Sequence, residues 1–121
     1  MIGTWEIDRV KLIKGTGGKK LKAKIFLKDG GTRTEGSATR QRRTKEVSFG
    51  ASGYMDFTLY SKEDKELAEQ KKKAYIARHK VNEDWTDAST AGFWSRWILW
   101  NQPTIEKSMD FMEDKYGFNF I

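Results

Sequence analysis

The chain has no cysteine, one histidine (His79) and one proline (Pro103) among its 121 residues. Without cysteine there can be no disulfide, no thiolate metal site and no cysteine nucleophile, a composition that suits a reducing compartment. A lone histidine argues against a histidine-based metal site, and nothing in the composition asks for a metal or a cofactor. No apolar run approaches the roughly 18 residues of a membrane span, and no charged-then-apolar leader follows Met1. The expectation is a soluble, intracellular chain that does not engage a membrane. Neither an internal repeat nor a low-complexity tract is present, and the length fits a single domain over 1–121.

Acidic residues are scarce in one part of the chain. Residues 9–45 carry 13 Lys or Arg against only Asp29 and Glu35, a local balance of +11 in a chain whose net charge is +6. The cations include Lys19, Lys20, Lys22, Lys24, Arg33, Arg40, Arg42 and Arg43. Such polarity presents one positive surface, for which nucleic acid or another polyanion is the leading partner; a solvated cationic sheet that only aids solubility is the plainer alternative.

What is abundant is aromatic. Between Thr90 and Asn101 stand Phe93, Trp94, Trp97, Ile98, Leu99 and Trp100. On a regular helix Phe93, Trp97 and Trp100 fall within about 60° of one another, and Trp94 and Ile98 widen the stripe until the segment is apolar nearly all round. Trp85, Phe93, Trp94, Trp97 and Trp100 are therefore expected in the core.

The order of elements predicts an α+β domain. Thr4–Ile13, Leu21–Lys28, Lys45–Phe49 and Tyr54–Tyr60 read as four strands of a small antiparallel sheet, joined by turns at Gly15–Gly18, Asp29–Gly31 and Gly50–Gly53. Residues 32–44 nearly lack apolar side chains and predict a mobile loop projecting Arg40, Arg42 and Arg43 from a basic, β-rich half, 1–60. In the helical half, 61–121, a helix starts at Ser61, with Asp64 completing a capping box, and runs to about His79 or Lys80. Thr90 caps the Trp-rich helix, Asn101-Gln102-Pro103 ends it, and a last helix from Thr104 buries Ile105, Met109, Met112 and Tyr116 before stopping at Gly117.

Several blocks recur together: Phe49-Gly50, Gly53-Tyr54 with Asp56-Phe57-Thr58, Tyr75-Ile76 with Arg78-His79, Glu83-Asp84-Trp85 with Asp87, Thr90 through Ser95, and Trp97 through Asn101 to Pro103-Thr104. In these the chain resembles, over more than half its length, a small family from nucleocytoplasmic large DNA viruses of the phycodnavirus and mimivirus kind. The part before Lys45 carries no such signature. The resemblance implies a viral origin, a place in the virion or in handling viral DNA, and residence in host cytoplasm or nucleus during infection. It implies no reaction.

Four constellations invite chemistry. His79 could act as a general base oriented by Asp84 or Asp87, but Arg78 and His79 also suit the negative end of a helix. Glu83, Asp84 and Asp87 could hold magnesium, as in a nuclease, or simply satisfy loop amides. The Gly50–Gly53 turn could cradle a phosphate but lacks a following lysine and helix start. Tyr54, Phe57 and Tyr60 with Trp5 could stack bases or enter the core.

The reading favoured by this balance is a non-enzymatic, virion-associated protein that binds nucleic acid, most readily DNA and without sequence preference, or acidic virion proteins. The second reading is a minor capsid or scaffold protein that self-associates or meets capsid neighbours through its aromatic surface and the tail residues Phe118, Phe120 and Ile121. A magnesium-dependent nuclease is the third.

Overall fold

The computed structural model describes residues 6–28 and 44–121. Trp5, the Asp29–Gly31 turn, Arg33, Arg40, Arg42 and Arg43 lie outside the described residues, as does the expected loop up to Thr44. The fold is α+β. Strands β1 (Ile7–Lys14), β2 (Lys19–Leu27) and β3 (Thr44–Ala51) form an antiparallel sheet in the order β1-β2-β3. Helices α1 (Phe57–Glu63), α2 (Lys65–His79), α3 (Ala91–Trp94) and α4 (Ile105–Tyr116) follow, with a π turn over Ser95–Leu99 continuing α3.

Period-two alternation sorts the sheet into two faces. Val10, Ala23, Ile25, Val47 and Phe49 point to one side and meet Phe93, Trp94, Ile98, Leu99, Met112 and Phe118. This is the core, and its indole N–H is not stranded: Trp94 Nε1 donates to the Ala88 carbonyl at 2.8 Å.

The expected fourth strand is instead helix. Tyr54–Tyr60 is rich in aromatic residues, which favour strands, but Asp56 supplies a cap that overrides the preference. Its backbone is extended (φ −140°, ψ −179°) and its carboxylate accepts from the amides of Thr58 and Leu59, at 2.9 and 3.2 Å. The helix predicted from Ser61 is likewise divided. Asp64 ends α1 and begins α2, accepting from the amides of Glu66 and Leu67, so it is itself the cap and not the partner of Ser61. Thr90 and Gly117 cap as expected, Gly117 in the left-handed region at φ 74°, and Thr104, expected as the start of the last helix, is its N-cap.

The Trp-rich segment departs from a regular helix at Ser95. The Trp100 amide donates to the Ser95 carbonyl at 3.0 Å, five residues back, which widens the turn by one residue. The buried set becomes Phe93, Trp94, Ile98 and Leu99, while Trp97 and Trp100 move to the flanks, only partly buried. The stripe of Phe93, Trp97 and Trp100 expected from 3.6-residue spacing is therefore not the one buried. Trp85 stands outside this core, its ring plane parallel to that of Tyr75 with centroids 6.3 Å apart.

The C-terminal tail is tied to its own sheet. Val10 N donates to the Asn119 carbonyl at 2.9 Å and Ile121 N to the Val10 carbonyl at 2.8 Å, a parallel bridge that closes the outer edge of β1. Phe118 is buried and Phe120 is partly buried against the core; of the three tail residues expected to dock elsewhere, Ile121 is the exposed one.

Candidate functional site

The face of the sheet turned from the core is basic. Register places Arg9 opposite Phe26, Lys11 opposite Lys24 and Ile13 opposite Lys22 across β1 and β2, with Lys24 opposite Glu46 and Lys22 opposite Ser48 across β2 and β3. Phe26 lies under two cations, the Arg9 guanidinium 4.4 Å and the Lys24 ammonium 5.7 Å from its ring centre. A half-buried aromatic ringed by cations is a surface that can stack on a base and hold its phosphates.

The lysines singled out in the sequence do not act alike. Lys20 is withdrawn from the surface, its ammonium 2.6 Å from Asp56, with side-chain exposures of 19% and 3%. A carboxylate buried that deeply requires a cation, so Lys20 is a structural partner and not a free phosphate contact. Lys22 sits 3.3 Å from Glu46, which neutralises it rather than Lys24 directly across the ladder. Lys19 and Lys24 have no carboxylate partner among the described residues.

Where β2 begins and β3 ends, a cleft of about 370 Å³ opens toward α2 and the π turn. Its lining includes Lys19, Lys20, Asp56, Arg78, His79 and Glu83, with Tyr54, Tyr75 and Trp100 contributing aromatic wall. Tyr75 has the Trp100 ring 4.4 Å away, nearly parallel, and the His79 ring 4.3 Å away. Two rings at that distance cannot share one face, so Tyr75 is sandwiched between them. Burial, and next the nearby Glu83 carboxylate, push the Tyr75 hydroxyl well above the ordinary tyrosine range.

His79 is oriented by Glu83 and not by either aspartate proposed from the sequence. Its Nδ1 lies 2.9 Å from one Glu83 oxygen, and the Trp85 indole donates to the other at 2.7 Å. Spacing on a helix of i and i+4 was the signal for this pair, hidden because Glu83 lies beyond the helix end. Asp84 and Asp87 are spent on local turns: each accepts from the amide and hydroxyl two residues on, Thr86 and Ser89. These bonds hold the Asp84 carboxyl below its usual range. Among the described residues no three His, Cys, Asp or Glu side chains gather as metal ligands.

Two cations are half-buried beside these aromatics. Arg96 lies between the Trp85 and Trp97 rings, its guanidinium 5.4 and 4.4 Å from their centres, and donates to the Trp100 carbonyl at 2.8 Å, closing the π turn. Lys72 donates to the Asn101 carbonyl at 2.7 Å; burial first and Arg96 second lower its pKa. Of the stacking residues expected near the basic strands, Phe57 is buried beneath Lys72, Tyr60 is half-buried near Trp100, and Tyr54 alone is exposed. The Gly50–Gly53 turn closes the sheet end, with Gly50 at φ 79° and the Leu99 side chain 2.6 Å from where a β-carbon would stand.

No family model, no curated protein and no solved structure matches this chain.

Proposed function

We propose that the protein is a non-enzymatic binder of nucleic acid that grips the phosphate backbone with the outer face of its sheet, and that it serves in the virion of a large DNA virus. The observation that carries this reading is the cross-strand pair Lys11 and Lys24. Like charges directly opposite one another destabilise a sheet, and the carboxylate that could relieve them, Glu46, is turned to Lys22. A polyanion laid across the face removes the repulsion, and Phe26 and Arg9, whose exposed pair with Asp8 at 2.6 Å exchanges readily for a phosphate, extend the contact along the same face. Nothing here reads base edges, so affinity comes from phosphates and is independent of sequence.

The viral setting rests on the resemblance over the C-terminal part of the chain. The scaffold reading loses its main support, an unaccommodated apolar tail, because that tail is docked on β1.

Fluorescence anisotropy with labelled DNA of unrelated sequences tests the proposal. For about three phosphate contacts, affinity falls roughly 20- to 40-fold between 50 and 200 mM salt. Absence of binding, or binding indifferent to salt, refutes it.

A further inference from the structure

The cleft at the sheet end has an unusual inventory of hydrogen-bonding groups. Both of its carboxylates are engaged from within the protein. One Asp56 oxygen accepts from the Thr58 amide, the Thr58 hydroxyl and the Leu59 amide, and the other accepts from Lys20. Each Glu83 oxygen likewise has its partner, Trp85 or His79. The donors are not so engaged. Lys19 and Arg78 have no carboxylate partner among the described residues. What is left unspent is cationic and donating, the complement of a ligand rich in acceptors and negative charge.

A second observation narrows the ligand. Tyr54 is 73% exposed, one of few large apolar side chains left in water among the described residues, and it stands at this cleft. An aromatic side chain held in solvent beside phosphate-grade donors fits a planar ring joined to a phosphate. The volume, about 370 Å³, lies in the range of small-molecule sites. Asp56 and Glu83 are occupied in holding Lys20 and His79 in the cleft wall.

We propose that this cleft binds a nucleoside monophosphate, free or at the phosphorylated end of a strand, with the phosphate on Lys19 and Arg78 and the base against Tyr54. The site is separate from the sheet face: Lys19 and Arg78 belong to the cleft, Lys11 and Lys24 to the sheet. It holds whether or not the sheet binds a backbone.

Isothermal titration of the full chain with AMP, adenosine and inorganic phosphate tests it. AMP binds at least tenfold more tightly than either adenosine or phosphate. Arg78→Ala and Lys19→Ala, at exposed positions where the fold does not depend on them, each lower AMP affinity about tenfold, the equivalent of about 1.4 kcal/mol. Tyr54→Ala weakens AMP and leaves inorganic phosphate unchanged, and Lys24→Ala changes neither. A 5′-phosphorylated oligonucleotide that outbinds its unphosphorylated twin and is displaced by AMP identifies the strand end as the source. AMP binding with no preference between the two oligonucleotides identifies the free nucleotide. No heat with AMP at millimolar concentration, or AMP affinity untouched by both Lys19→Ala and Arg78→Ala, overturns the proposal.

Discussion

The Glu83 carboxylate lies against Gly92 so closely that a β-carbon there would stand 2.7 Å from Glu83 Oε1. Glycine at this point of α3 leaves room for the carboxylate that holds His79 and Trp85. Gly92→Ala pushes that carboxylate away and breaks two bonds to it, destabilising the fold by about 1–3 kcal/mol. In a Glu83→Ala background the same change stabilises by about 0.5–1 kcal/mol, because alanine then serves only as the better helix former. A double-mutant cycle by urea denaturation reads the sign reversal; equal effects in both backgrounds contradict this packing.

Asp56 joins two elements, capping α1 and pairing with Lys20 at the start of β2. Asp56→Ala leaves a half-buried ammonium without its counterion and costs about 3–5 kcal/mol. Asp56→Asn retains the cap and costs less. Guanidinium unfolding midpoints of the two variants give the order.

Tyr75 gives the fold an alkaline weakness. Its folded-state pKa is raised above the unfolded value near 10, so above that pH the folded state holds the phenolic proton that the unfolded chain releases. Stability from this residue is complete below pH 10 and declines as pH rises beyond it. Comparing wild type with Tyr75→Phe between pH 8 and 11 isolates the effect from the lysines, which titrate in both; wild type loses stability relative to the variant only in the upper part of that range.

Lys11→Glu converts a like-charge cross-strand pair into an attractive one with Lys24. The protein gains about 0.2–1 kcal/mol in thermal unfolding. DNA affinity falls about tenfold or more, corresponding to at least about 1.4 kcal/mol. A gain in stability together with a loss of binding is the signature of a face shaped by its ligand; unchanged DNA affinity removes the sheet from the interface.

Phe118→Ala opens a cavity among Phe93, Trp94 and Tyr116 and costs about 3–5 kcal/mol. Calorimetry sees a large fall in melting temperature. A tail that served only a partner would leave the isolated chain unchanged.

Much of the architecture was legible from local signals. Strand alternation at Leu21–Lys28 and Lys45–Phe49, the cap at Thr90 and the glycine stop at Gly117 are each decided by a few neighbouring residues, and all recur in the structure. Tyr54–Tyr60 misled because aromatic content is a weak preference and one aspartate cap outweighs it. The basic face was legible as a composition, but Lys20 and Lys22 were miscounted as free, since their carboxylates lie 36 and 24 positions away in the chain.

By itself, the amino-acid order determined an α+β chain with a cationic N-terminal sheet and an indole-rich centre, because periodicity, capping and charge density act over a few residues. Only tertiary structure decided which cations are neutralised, that the tail closes its own sheet edge, and that Asp56, Tyr75, His79 and Glu83 meet around one cleft. Those outcomes depend on groups distant in the chain competing for the same buried space, a contest that no local pattern records.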